Sequence, residues 1–163
     1  MPYTIPEAAQ PFTLRISDND CSQLRELLEL FRLGPSTWEN QHQDGRYGIP
    51  HHKESRINSF PNYKIGVQDI KGDIDLHFIG LFSQKENAVP MVLLHGWRGS
   101  FLEFLPTLEI LPKKYNSSCL PYHVIVPSLP GYTLSSGPRK TEAWNSEDAA
   151  RVINNAVMAL GFS

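Results

Sequence analysis

The chain has 163 residues, 40% of them hydrophobic and 20% charged, with a formal net charge of -2. That is one ordinary domain's worth of chain, apolar enough to bury a sizeable core and too apolar for a disordered segment. No run of Lys or Arg offers nucleic acid an electrostatic footprint, and no stretch of about 20 apolar residues is present to span a bilayer.

Residues 1–10 hold two prolines and no basic-then-apolar pattern, so they do not read as a signal peptide. Two distant cysteines, Cys21 and Cys119, read as reduced thiols of a cytoplasmic protein. Residues 11–16 alternate weakly and predict a short strand. Residues 17–33 predict a helix. Ser17 with Asp20 resembles a capping box, and Leu24, Leu27, Leu28 and Phe31 share one face before Gly34-Pro35 stops it. Residues 36–61 lose all periodicity and predict an irregular meander, longer than compact domains usually carry.

Two strands are predicted over 63–70 and 74–81, joined by Lys71-Gly72-Asp73, with Gly72 free to take positive φ. In the second, Ile74, Leu76, Phe78 and Gly80 alternate against Asp75, His77 and Ile79. His77 reads as a surface or sheet histidine, and Asp69, Asp73 and Asp75 as solvated. Met91-Val92-Leu93-Leu94 is a continuous apolar run, the pattern of a strand covered on both faces. Residues 101–111 predict a crossover helix, with Pro106 marking a kink or a later start. A buried strand follows over 122–126. Ser146 is the expected N-cap of the last helix, and Ala149, Val152, Ile153, Ala156, Val157 and Leu160 form its apolar stripe before Gly161 at C′. The order is hairpin, strand, helix, strand, helix, the opening half of an open α/β sheet.

Two loops could carry chemistry. His95-Gly96-Trp97-Arg98-Gly99-Ser100 and Val126-Pro127-Ser128-Leu129-Pro130-Gly131-Tyr132 each follow a buried strand. Small residues there let backbone N–H groups face a ligand, helped by a following helix dipole. His42, Asp44, His51 and His52 invite a metal reading, but their spacing fits no zinc motif, so no metal site is expected. No Gly-x-Ser-x-Gly elbow exists.

These two loops closely resemble epoxide hydrolases of the microsomal type, especially the soluble fungal ones. So do Asp44-Gly45-Arg46-Tyr47-Gly48-Ile49, Arg56-Ile57-Asn58-Ser59-Phe60-Pro61 and residues 67–82. The resemblance implies the N-terminal half of an α/β-hydrolase fold. Residues 1–61 would be the extension typical of these enzymes and 62–163 the first half of the core domain. It implies conversion of an epoxide and water to a vicinal diol, by an aspartate nucleophile, an acid–histidine pair and two lid tyrosines, without a cofactor. In the family a segment like Leu160-Gly161-Phe162 leads shortly to the nucleophile strand. The sequence stops at Ser163, so the expectation is a truncated hydrolase unable to open epoxides alone.

Carried over by residue, His95, Gly96, Trp97 and Arg98 form an oxyanion-loop remnant, with the Trp97 N–H as donor. Arg98 stands where the family normally has proline, often after a cis bond, and is expected to keep the peptide trans and turn the loop differently. Relatives also carry a Trp-containing stretch between Ile49 and Arg56 that is absent here. Trp97, Phe101, Phe104 and Tyr132 are expected to line a pocket for an apolar, epoxide-like molecule. The edge of strand 91–95 is expected to pair with a second copy or with a complementing C-terminal half. The rival expectation is a non-catalytic protein that binds a small molecule or a partner on a partial hydrolase scaffold.

Overall fold

A computed structural model describes residues 6–30, 53–139, 141 and 143–162 of the chain. They divide into two compact units, residues 13–60 and residues 1–12 with 61–163.

In the first unit, α1 spans Asp18–Leu30 and α2 spans Lys53–Asn58. Ser17 caps α1 as its spacing predicts, its Oγ accepting the Asp20 N–H at 3.1 Å. Leu24 and Leu27 of the expected apolar face are more than half exposed. The Asn58 side chain clasps the Leu14 backbone through two bonds of 2.9 Å. Phe31, Gly34-Pro35, the meander core, Asp44 and the histidines 42, 51 and 52 lie outside the described residues.

The second unit is built on a five-stranded sheet of β1 (Gln10–Pro11), β2 (Asn62–Val67), β3 (Ile74–Leu81), β4 (Val89–Val92) and β5 (Tyr122–Pro127). Their order across the sheet is β1-β2-β3-β5-β4. Only the β4–β5 pair is parallel. The strand expected over 11–16 shrinks to two residues. Gly72 sits at φ +114° in the β2–β3 turn, which explains a glycine there, and its N–H closes onto Asp69 O at 2.9 Å.

Between β4 and β5 the chain makes a 3-10 turn, Phe101–Phe104, and then α3, Leu105–Lys114. The single helix expected from 101 is thus divided. Pro106 lacks an N–H and falls in the first turn of α3, where none is needed. The last helix, α4, spans Ser146–Ala159. Its cap is Asn145 rather than Ser146. Asn145 Oδ1 accepts from Glu147 N–H at 2.9 Å and Asp148 N–H at 3.1 Å, and Asp148 returns a bond to the Asn145 N–H. Asn145 keeps an extended backbone, which lets its side chain reach forward over the first turn, whereas Ser146 is already helical. Gly161 at φ +88° ends the helix as its position predicts.

The apolar stripe of α4 meets one face of the sheet. Val152, Ala156 and Leu160 join Tyr63, Ile65, Val67, Leu76, Phe78 and Ile125 in one core cluster. On the other face Phe101 packs edge-on to His77, with ring centroids 5.0 Å apart. Cover on both faces corrects the alternation read for β3: His77 and Ile79 are 0% exposed, and only Asp75 stays outside. The buried strand expected over 91–95 is also corrected. It pairs over Val89–Val92, Leu93 N–H adds one bond to Ile125 O at 2.9 Å, and the chain then leaves the sheet. Among the described residues β4 has one neighbour, β5, and so lies at an edge of the described sheet.

Candidate functional site

Leaving β4, the chain buries His95. Its Nε2 accepts the Leu129 N–H at 3.2 Å, and its Nδ1 lies 3.3 Å from Gly96 O. A ring nitrogen that accepts leaves its partner to carry the hydrogen, so the network assigns His95 the Nδ1–H tautomer. The ring also stands edge-on to Tyr132 at 5.1 Å. His95 therefore ties the two loops together.

The tight turn beyond it is closed by Gly99 N–H on Gly96 O at 3.0 Å. Arg98 occupies its third position at φ +67°, a left-handed conformation that favours glycine. The described backbone holds no cis peptide bond, so Arg98 does follow a trans peptide. A Cβ at Gly99 would run into the Glu103 carboxylate. Ser100 caps the 3-10 turn through the Leu102 N–H at 3.4 Å. Among the described residues, the N–H groups of Gly96 and Trp97 meet no acceptor.

The second loop, residues 128–136, is fastened along β3. Ser136 N–H bonds Asp75 O, Asp75 N–H bonds Ser136 Oγ and His77 N–H bonds Ser135 Oγ, all at 2.8–2.9 Å. This loop takes the place of a paired strand beside the first half of β3, since β5 pairs only with the second half.

A cleft of about 480 Å³ opens between the two loops and the start of α4. Leu94, His95, Leu129, Tyr132, Trp144 and Ile153 are among its walls. Of the four aromatic residues expected to line the pocket, Tyr132 does. Trp97 stands 81% exposed on the turn, and Phe101 is buried against His77 because the 3-10 turn points it into the sheet. Phe104 is not a wall of the cleft. Leu129 of the second loop is a wall not among the four expected, and Trp144 and Ile153 are walls outside the loop motifs, although the helical stripe did place Ile153 on an inner face.

The helix wall is held by an ion network that spacing along the chain does not signal. Arg151 grips Asp69 with two bonds of 2.7 and 3.0 Å and Asp148 at 2.9 Å. Lys71 reaches Asp148 and the Ala143 carbonyl, each at 2.7 Å. Asp69, expected to be solvated, has a side chain only 1% exposed. The Arg151 guanidinium, then the Lys71 backbone N–H, holds the Asp69 carboxyl below its usual range. The Lys71 ammonium, with Arg151 and the Asn145 N–H, holds Asp148 down to about 2.

No acid–histidine pair appears among the described residues. The ring nitrogens of His95 face the Leu129 N–H and Gly96 O. Those of His77 face Ser128 Oγ at 2.9 Å and Asn62 Oδ1 at 3.0 Å. Ser128 beside His77 looks like a nucleophile and its base, but Ser128 is 0% exposed and no reactant reaches it. No group of three or more His, Cys, Asp or Glu among the described residues is placed to hold a metal ion, and none of their helices is long and apolar enough to cross a membrane.

Two family models match the chain: epoxide hydrolase N terminus over residues 51–104, and alpha/beta hydrolase fold over residues 89–163. An Aspergillus niger epoxide hydrolase structure is similar at 39% identity and a TM-score of 0.77, covering 98% of this chain and 46% of that one. A protein of Dothistroma septosporum named as an epoxide hydrolase is 34% identical over 99% of this chain and 43% of its own length. Epoxide hydrolase 1 of Sus scrofa is 28% identical, covering 96% and 38%. The chain thus spans less than half the length of these relatives.

Proposed function

The chain belongs to the epoxide hydrolase family, matching its N-terminal part, and we propose that it supplies the oxyanion side of an epoxide-opening site. The observation that carries this reading is the pair of unengaged N–H groups at Gly96 and Trp97, on a loop held by His95 at the mouth of an apolar cleft. In the family reaction an oxygen gains negative charge, and donors fixed beforehand stabilise it; losing one such donor typically costs about 10²–10³ in rate. Leu94, Leu129, Tyr132 and Trp144 suit a small apolar epoxide.

Opening the epoxide needs a nucleophile at its carbon, and releasing the diol from the ester so formed needs an activated water; the described residues offer neither. The purified 163-residue chain is therefore expected to form no diol from styrene oxide above the buffer rate. Turnover well above that rate would overturn the reading. The open edge of β4 suits the addition of another strand, from a second copy or from a chain carrying the nucleophile strand, which would register as concentration-dependent sedimentation. Two exposed free cysteines fit a reducing compartment, and we place the protein in the cytoplasm, to be checked by cell fractionation.

A further inference from the structure

A directed hydrogen-bond chain runs through the middle of the sheet. Asn62 Oδ1 lies 3.0 Å from His77 Nε2, Ser128 Oγ lies 2.9 Å from His77 Nδ1, and Thr133 Oγ1 donates to Ser128 Oγ at 2.8 Å. An amide oxygen only accepts, so the network gives Nε2 the hydrogen and leaves Nδ1 to accept from the Ser128 hydroxyl. His77 also grips the same loop by its backbone. Its carbonyl takes the Ser128 N–H at 2.9 Å, and its N–H goes to Ser135 Oγ at 2.9 Å. The gripped loop is constrained, because Thr133, a β-branched residue, sits at φ +44°. One residue past Ser128, the Leu129 N–H holds His95.

We propose that His77 is a positioning residue: as the Nε2–H tautomer it fixes Ser128, and through Leu129 it sets the His95 ring and the loop bearing Gly96 and Trp97. The inference rests on reading that loop as the oxyanion side of the site. The surroundings of His77 suit a neutral ring. Lys64 of β2 lies opposite it in register and pairs with Asp75 of β3 at 3.0 Å, while the Phe12 and Phe101 rings stand edge-on to it. A second ring proton would point Nδ1–H at Ser128 Oγ, force the serine hydrogen away and break the direction of the chain.

The test is two-bond ¹H–¹⁵N spectroscopy of histidine-labelled 163-residue chain at neutral pH. His77 should show a bare Nδ1 and a protonated Nε2, and His95 the reverse. Ser128→Ala should speed hydrogen exchange at the Leu129 amide about tenfold, with the Ile79 amide unmoved, while Thr133→Ser should leave both near the parent rates. A His77 protonated at Nδ1, or a Leu129 amide indifferent to Ser128→Ala, overturns the proposal. If Ser128→Ala does not fold, the tautomer of the unaltered chain decides alone. Neither measurement uses an epoxide, so each stands or falls apart from the diol assay.

Discussion

The two loops of the site are built in opposite ways. Residues 128–136 are laced to β3 by backbone and hydroxyl bonds from Ser128, Ser135 and Ser136, and Gly131 at φ +83° lets the loop double back so that its N–H meets Ser136 O. Residues 95–100 hold themselves by one turn bond and the Ser100 cap, and reach the rest of the unit chiefly through His95. Residues 128–136 are a fixed base and residues 95–100 are suspended from it. The unengaged donors lie on the suspended loop, so its placement depends on groups that never touch a ligand.

The largest effect is expected on the fixed side. Arg151→Met strands the Asp69 carboxylate, nearly excluded from water, leaves Asp148 to Lys71 alone, and loosens the α4 wall of the cleft. Urea unfolding at neutral pH should show a greater loss than Ser128→Ala, Thr133→Ser or Arg98→Gly produces; an unchanged midpoint would mean that the network is idle. Acid comes next. Burial, with Lys64 nearby, pushes His77 down to about 4. Its unfolded value is about 6.5, so the unfolded state binds the extra proton first. The stability of a neutral His77 is complete above that value and falls as pH drops through 6.5 toward 4, by about 3 kcal/mol. Burial also lowers His123, which adds to the same window. Asp69 and Asp148 act lower, losing their contribution only as pH falls below the ordinary carboxylate range, for Asp148 toward about 2. Unfolding curves between pH 7 and 4 should therefore decline before the ion network is touched. The smallest effect belongs to the suspended loop. Arg98→Gly relieves the φ of +67° and should gain about 1 kcal/mol in the same assay. A loss would mean that the arginine side chain makes contacts that outweigh its backbone strain.

Much of this was legible because it is local. The α4 stripe, Gly161, Ser17 before α1 and the glycine of the β2–β3 turn each depend on residues a few positions apart. The two loops could be placed because each follows an apolar strand. What escaped depends on partners far along the chain. Asp69 reads as solvated until Arg151 comes beside it, 82 residues later. His77 reads as an outer residue until Phe101 covers that face. Phe101 itself was expected in the pocket, and only the 3-10 turn sends it inward. The walls Leu129 and Trp144 gather at one cleft because the sheet brings loop and helix together, a fact with no signal in spacing.

The Asp69–Arg151 pair also has a timetable. A ribosome adding about 5–20 residues per second needs roughly 4–16 s to make the 82 residues between the two partners. Once β3 has been made, the acidic corner at Asp69 still waits for Arg151, and burying that carboxylate without a partner would be costly. Burial of that corner is therefore expected to come only with α4, so the β2–β3 turn and the last helix are expected to become protected together during synthesis.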